Sequence, residues 1–504
     1  MTLLNSIASW WMKKRMHQIE LFMKYPHDVQ QESLKKLLSS AKDTEWGKKY
    51  NYRSIQNAEQ FKSIVPLQDY ESLKPYIERV RRGEQNIIWN TEIKWFAKSS
   101  GTTGDKSKYI PVSKESLDEC HYNGGRDMIA IYCSLYPDTQ LFTGKNLALG
   151  GSLSTDSFGD YESQHGDLSA IVMNNLPMWA EFFRAPDISI ALMDKWDDKL
   201  EKLSHAIANE NMVSLAGVPS WMLLIIKRVL EIKNKHSIAD VWPNLEVYFH
   251  GGVNFTPYRE QFKRVFNKSD VNFLELYNAS EGFFGIQDQK DSEELLLMLD
   301  YGIYYEFIPM DQLGKENPQV FGLDEVVLGV NYALIISTTG GLWRYLVGDT
   351  IQFTTLHPYR FKITGRTKHF MNAFGEELVV HNADKALSIA CEKSGAQIRE
   401  YTAAPVYMNN NESGAHEWLI EFEKMPTTLE YFTEMLDNAL KAINSDYEAK
   451  RYKNLILKMP IVRAVPDNTF YKWFQSKNKL GGQHKVPRLS NNRTHLEEIF
   501  ALVK

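Results

Sequence analysis

Residues 1–90 read as helical: charged segments such as QQESLKKLLSSAK carry apolar residues among polar ones, and a Pro-marked stretch lies around Pro66 and Pro75. The pattern changes near residue 95. WFAKSS is a short aromatic and apolar run that enters the glycine-containing segment GTTGDKSK, and YIPVS after it reads as a second strand. KESLDECHYNGGRDMIAIY has a helical pattern despite its Gly-Gly pair. Further helices are expected at 194–209 and over PSWMLLIIKRVLEIKNK, where Pro219 suits an N-terminal turn. LEVYFHGG reads as a buried strand, YREQFKRVF as a helix, and VNFLELYNASEGFFG as a strand running into a loop.

Strands alternating with helices predict an α/β fold with ligands at the carboxyl ends of strands. From 295 to 355 the texture turns β-rich, and ALIISTTGGLWRYLVGDTIQF holds two strand-like runs joined by Thr-Gly-Gly, a hairpin signature. LEYFTEMLDNALKAINSDY then sets Leu429, Phe432, Leu436, Ala439, Ile443 and Tyr447 at helical spacing. There is no internal repeat. The favoured boundary lies near ITGRTKHF (363–370), between mixed sheets with a β-rich subdomain and a smaller α+β tail.

The chain has 504 residues, which suggests roughly three structural units fused into two domains. Its 43% hydrophobic and 24% charged residues exclude collagenous, low-complexity and wholly disordered classes. A net charge of −5 leaves no global basic field for nucleic acid. Three cysteines (Cys120, Cys133, Cys391) cannot build a disulfide framework and fit a reducing compartment. The N-terminal charges follow the apolar stretch instead of preceding it, the wrong polarity for a secretory signal. Trp10 and Trp11 beside Lys13, Lys14 and Arg15 form either an interfacial membrane helix or a face docked on the protein's own core. WMLLII at 221–226 is too short to span a bilayer. The expectation is a soluble, cytoplasmic protein without membrane or nucleic-acid partners.

Three segments can carry chemistry. Ser99, Ser100, Gly101, Thr102, Thr103, Gly104, Asp105, Lys106, Ser107 and Lys108 follow a strand with hydroxyls, glycine amides and cations, a composition that wraps phosphate oxygens. The spacing GxxxxGK[ST] is absent, so it is not the nucleoside-triphosphate P-loop; a plain polar turn is the alternative. In Tyr277-Asn278-Ala279-Ser280-Glu281-Gly282 an aromatic, a hydroxyl and a carboxylate can stack on a base, bond a phosphate and hold Mg²⁺, or simply end a strand. Asp349, closing YLVGD, either accepts both hydroxyls of a ribose or belongs to an ordinary turn, and Arg366 in GRTKHF can complete that contact.

In this order the segments resemble the superfamily of adenylate-forming enzymes. Within it the chain is similar to the Gretchen-Hagen, auxin-responsive family of acyl acid–amido synthetases, its bacterial branch being the expected home. The resemblance rests on KSSGTTGDKSKYIPVS, YNASEG in place of a YGxTE-like turn, YLVGD, TEWGKKY and GGQHKVPRLS, and spans about residues 30 to 500. It implies that ATP, with Mg²⁺, converts a small carboxylic acid to an acyl-adenylate whose acyl group passes to an amino acid. It implies an N-terminal adenylation domain over 1–364, a hinge at 365–370 and a mobile C-terminal domain over 371–504.

On this sequence the resemblance puts Ser99, Ser100 and the 101–108 segment around the β- and γ-phosphates. Tyr277 lies against adenine, with Gly251, Gly252 and Val253 as the other wall and Asn278 and Ala279 beside it. Ser280 contacts the α-phosphate, Glu281 the Mg²⁺, and Asp349 with Arg366 the ribose. Lys368 is the hinge or an exposed surface lysine. Lys485 resembles the tail lysine that reaches the α-phosphate, although HKVPR departs from the usual Gly-Lys ending. His121, Tyr122 and Arg126 are candidates for the acyl-acid pocket; Arg126 equally suits a structural ion pair, and His250 is pocket wall or core. Transfer to coenzyme A, or nucleotide and acid binding without catalysis, are the competing readings.

Overall fold

The computed structural model describes Trp10, Met12, 14–99, 108–176, 182–193, 195–252, Phe255, 258–267, 270–367, 370–371, Ala373, Glu376, 378–406, 414–451, 457–477 and 485–503. The chain divides into two compact units. The first comprises Met1–Gly252, Lys263–Val347 and Ile351–Lys362; the second comprises Val253–Phe262, Gly348–Thr350 and Ile363–Lys504.

In chain order the strands are β1 Trp95–Ser99, β2 Lys108–Val112, β3 Lys145–Ala148, β4 Leu153–Phe158, β5 Tyr161–Gly166, β6 Arg184–Ala185 and β7 Met212–Gly217. Then come β8 Val247–Gly251, β9 Asn272–Ala279, β10 Gly282–Ile286, β11 Leu295–Leu297, β12 Ile303–Pro309, β13 Asn331–Thr338, β14 Tyr345–Leu356 and β15 Tyr359–Arg366. The C-terminal strands are β16 Phe370–Met371, β17 Leu378–Val379, β18 Gln397–Val406, β19 Ala415–Lys424 and β20 Ile461–Val465.

An 11-stranded sheet runs β12-β13-β14-β15-β11-β10-β9-β8-β7-β3-β6. Its β9-β8-β7-β3-β6 end is parallel. Buried runs such as Val247 to His250 suit strands covered on both faces. A second sheet, β2-β1-β5-β4, carries the Ser99↔Lys108 pair at the mouth of the hydroxyl-glycine segment.

The N-terminal helices dock on the β-rich end. Gln30, buried on the helix Pro26–Ala41, donates Nε2 to the carbonyls of Leu299 and Ile303 and accepts from the Tyr305 amide. The stretch expected to be marked by Pro66 and Pro75 resolves into helices Ala58–Ile64 and Tyr70–Arg81, the latter with Pro75 inside and a reciprocal Asp69–Ser72 cap. Of the N-terminal alternatives, Met12 packs on Ala130 and Cys133, whereas Trp10 is 60% exposed with the Lys14 ammonium 3.9 Å from its ring centre.

VNFLELYNASEGFFG departs from expectation. GFFGI is not a loop but strand β10, antiparallel to β9, so Ser280 and Glu281 form the tip of a hairpin. Its residues are all buried, and burial on both faces overrides the loop signal of two glycines.

In the second unit, β18-β19-β20 form a three-stranded sheet covered by helices Val380–Ser394 and Leu429–Ile443. Leu387, Tyr401, Trp418, Phe432 and Leu436 fill the core between them. Phe432, Leu436 and Ala439 of the expected helical stripe are buried on one face of Leu429–Ile443, while Tyr447 lies on the following helix Ser445–Arg451.

Candidate active site

Parallel pairing brings the ends of β7, β8 and β9 to one edge. Gly217 lies beside His250, and Gly251 beside Leu276. A side chain at Gly251 would put its Cβ 2.4 Å from the Leu276 carbonyl oxygen, so only glycine lets the strand end this closely. Gly252 follows at φ +84°, where glycine turns without strain. Tyr277, one residue past Leu276, is 5% exposed, with the rings of Phe284 and Phe361 at 4.9 and 6.1 Å in edge contact. Ser280 is buried and Glu281 half-buried at the tip of the β9–β10 hairpin.

This hairpin is fastened to the element preceding it in space. The helix Tyr122–Leu135 opens from a π-helical turn over Ser116–His121, a geometry that inserts one residue per turn and is frequent at functional sites. The turn aims Cys120 at β10, where its Sγ accepts from the Phe283 amide at 3.2 Å. It also aims His121 at the hairpin, where the ring bonds the Asn278 side chain. Burial pushes the His121 imidazole down to about 4, so it is neutral at physiological pH and presents one donor and one acceptor. Gly124 lies flat on the Phe283 ring, 2.3 Å from where its own Cβ would be.

The other acyl-pocket candidates have defined partners. Tyr122 donates its hydroxyl to the Asn175 carbonyl at 2.8 Å. Arg126 Nε lies 3.6 Å from Asp127 Oδ1, but that carboxylate is already held by Arg15, through Nε at 2.8 Å and Nη2 at 2.9 Å, and by the Tyr301 hydroxyl. His250 is buried in β8, beside Gly217 at the same strand edge, with its ring 5.6 Å from that of Tyr248.

In the second unit, Asp349 and Arg366 meet at the ends of the β14–β15 pair, with Arg366 Nε 2.9 Å from Asp349 Oδ1. Gly348 stands at φ +96°, and its carbonyl accepts from the Thr367 amide at 2.8 Å, which closes the ladder beside the pair. Thr350 and Thr364 bond across the same strands at 2.9 Å. The carboxylate is an acceptor and the guanidinium a fork of donors, a set that matches vicinal hydroxyls.

Family models divide the chain into three. The GH3 family N-terminal domain matches residues 15–271, its central domain 296–366 and its C-terminal domain 381–494. The chain belongs to the GH3 family. Its relatives include the Arabidopsis thaliana indole-3-acetic acid-amido synthetase GH3.3, 23% identical over 91% of this chain and 89% of that protein. The 4-substituted benzoates-glutamate ligase GH3.12 of the same plant is 24% identical over 85% and 87%. The jasmonoyl–L-amino acid synthetase JAR6 of Nicotiana attenuata is 23% identical over 94% and 93%.

The structure of GH3.15 acyl acid amido synthetase superposes with a TM-score of 0.79 at 17% identity, covering 97% of this chain and 96% of that one. A 2-hydroxyisobutyryl-CoA ligase in its postadenylation state reaches 0.60 at 13% identity, over 94% and 90%. The fold is therefore the mixed α/β architecture with a C-terminal domain common to GH3 proteins and adenylate-forming ligases.

For this GH3 protein, Ser100, Gly101, Thr102, Thr103, Gly104, Asp105, Lys106, Ser107, Val253 and Lys368 lie outside the described residues. Among those described, no group of three or more His, Cys, Asp and Glu side chains could hold a metal ion. The Glu281 carboxylate is a hard oxygen donor of the type Mg²⁺ accepts, the ion's other ligands being phosphate oxygens and water. Sequence reasoning missed Arg15, Asp127, Asp300 and Tyr301. The Arg15–Asp127 bond joins positions 112 apart, and Arg15 Nη2 also meets Asp300 at 2.6 Å. Nothing in local spacing signals such a partnership.

Proposed function

We propose that this GH3 protein is an ATP-dependent acyl acid–amido synthetase. A carboxylate oxygen of a small acid attacks the α-phosphorus of ATP and pyrophosphate leaves. The amine of an amino acid then attacks the acyl carbonyl, AMP leaves, and the nitrogen gives up a proton as the amide forms. The observation carrying this reading is family membership along three consecutive domain matches, together with a relative named as an acid-amido synthetase and two, the benzoates-glutamate ligase and the jasmonoyl–L-amino acid synthetase, that carry an amino acid in the name.

The residue roles follow the resemblance. Ser99, Ser100 and 101–108 take the β- and γ-phosphates, Ser280 the α-phosphate, Tyr277 with Gly251 to Val253 the adenine, and Asp349 with Arg366 the ribose. Mg²⁺ supplies charge neutralisation on the phosphates, with Glu281 as its protein ligand. Two anions must meet in the first step, so lysines and backbone amides lower their repulsion, and Lys485 stabilises the charge that grows on the α-phosphate. Lys368 is the pivot on which the C-terminal domain over 371–504 changes between the two half-reactions. His121, with its fixed neutral ring, Tyr122 and Arg126 shape the acid pocket.

No helix among the described residues is long and apolar enough to cross a membrane. Cys120, Cys133 and Cys391 are unbridged, and we place the reaction in the cytoplasm.

The test is pyrophosphate release with Mg-ATP over a matrix of small carboxylic acids, with pooled amino acids in one series and coenzyme A in another. Release that depends on one acid and rises with an amino acid is the expected result. Stimulation by coenzyme A instead would move the chain to thioester formation, and ATP binding without release would remove the catalytic reading.

A further inference from the structure

Residues 486–490, directly after Lys485, are sewn onto the edge of β18. The Ala403 amide donates to the Arg488 carbonyl at 2.8 Å, the Ser490 amide to the Ala403 carbonyl at 3.1 Å, and the Thr402 hydroxyl to the Pro487 carbonyl at 2.6 Å. Val486 and Leu489 are buried. The strap therefore behaves as an extra short strand, and its anchored end begins one residue beyond the lysine assigned to the α-phosphate.

The Arg488 side chain turns inward from this strap. Its Nη1 lies 2.5 Å from Glu400 Oε1, its guanidinium stands 4.5 Å above the Tyr401 ring, and its Nη2 donates to the Tyr258 hydroxyl at 3.2 Å. Tyr401 is fixed in turn by its hydroxyl bond to Asp384 at 2.6 Å. Tyr258 and Gln261 belong to Val253–Phe262, the segment that continues from Gly252 and joins the C-terminal unit. Gln261, also buried, donates to the Ile398 carbonyl at 3.0 Å. One planar cation thus contacts the Lys485 strap, the sheet beneath it and the segment leaving the glycine pair. A guanidinium joins a planar fork of donors to a flat face that stacks on a ring; an ammonium, a compact point charge, has no such face.

We propose that Arg488 is a positioning residue that aligns Lys485 and locks its strap to the 253–262 segment, so that both move as one piece. This rests on the ligase reading above for its catalytic consequence but not for its mechanical one. The loss of alignment acts on a contact realised in the transition state, so kcat falls while KM for ATP and acid holds.

The experiment compares wild type, Arg488→Lys, Tyr258→Phe, Lys485→Met and the double variant Arg488→Lys/Lys485→Met, using the full chain. Arg488→Lys keeps the charge beside Glu400, which guards against misfolding. Acid-dependent pyrophosphate exchange is expected to drop about 10- to 100-fold in kcat for Arg488→Lys, the scale of a misplacement near 1 Å. On the Lys485→Met background the same change should cost less than about twofold, because its effect passes through the missing lysine. Full multiplication of the two losses would overturn the alignment.

Amide hydrogen exchange without ligand reads the second claim. Arg488→Lys should speed exchange in 485–490 and 253–262 together and leave the helix Leu429–Ile443 unchanged, and Tyr258→Phe should loosen 253–262. Unchanged exchange in 253–262 would overturn the coupling. A wild type that exchanges no pyrophosphate with any acid would instead defeat the ligase reading, while the exchange data still decide the coupling.

Discussion

Two adjacent glycines on the helix Tyr122–Leu135 should respond to alanine with opposite signs. A Cβ at Gly124 would fall 2.3, 2.5 and 2.7 Å from the Cδ2, Cγ and Cε2 atoms of Phe283, whereas one at Gly125 meets nothing within 4 Å. In an unhindered helix interior, glycine to alanine gains about 1 kcal/mol by restricting the unfolded chain. That gain applies to both positions and cancels in their difference. What remains is overpacking at Gly124, about 1–3 kcal/mol where the neighbour can yield only by moving. Phe283 has little freedom to yield: it is 4% exposed, its amide is bonded to Cys120, and its ring meets Tyr301 edge-on at 6.1 Å.

Gly125→Ala is thus expected to stabilise by about 0.5–1 kcal/mol, and Gly124→Ala to fall about 1–3 kcal/mol below it. Urea titration followed by tryptophan fluorescence measures both midpoints against wild type. Because Phe283 lies two residues beyond Glu281, Gly124→Ala should also lower acid-dependent pyrophosphate release, and Gly125→Ala should not. Equal midpoints for the two variants, or Gly124→Ala the more stable, would refute the packing argument.

Four further outcomes are expected. Glu281→Ala should abolish Mg²⁺-dependent pyrophosphate release while the cooperative fold is retained, as thermal melting would check. Arg366→Met should raise KM for ATP about tenfold or more through lost ribose contact, as initial-rate kinetics over ATP concentration would check. His121 titrates at about 4 when folded and near 6.5 when unfolded. The unfolded chain therefore takes up a proton between those values that the native state refuses, and stability should fall by up to about 3 kcal/mol as pH drops through that window; His121→Gln should flatten that part of a urea-midpoint profile. Arg15→Met should destabilise by about 3 kcal/mol in the same urea assay, because it takes the bidentate cation from the fully buried Asp127 carboxylate and leaves it the Tyr301 hydroxyl and the more distant Arg126.

Chain arithmetic explains which parts of this arrangement could be read from the sequence. Asp349 and Arg366 flank a two-residue connection at His357 and Pro358, and the midpoint of their numbers, (349 + 366)/2 = 357.5, falls on it. Any hairpin centred there must set the two side by side, so Gly-Asp and Gly-Arg carried geometry as well as chemistry. The Leu429–Ile443 helix was legible for a similar reason, since its stripe of apolar residues is a local property of one element. GFFGI was not, because its two glycines mark a loop until Ile303, Phe361 and Gly124 arrive from elsewhere to bury it on both faces.

The distant groups obey a different logic. Arg15 finds Asp127 across 112 positions, Gln261 finds Ile398 across 137, and Arg488 finds Tyr258 across 230. Each is a buried or largely buried polar side chain whose desolvation is offset by a partner that the fold alone can deliver, so periodicity and spacing contain no trace of it. The consequence is a division between two kinds of residue. Groups expected to touch substrate gather in short motifs, because consecutive residues on one turn can surround one ligand. Groups that hold those motifs in register come from far along the chain, because a turn cannot brace itself. A motif such as YNASEG therefore announces a chemistry, and whether it is poised to perform it depends on His121, Gly124 and Cys120, which bear on it from an element more than 150 residues earlier.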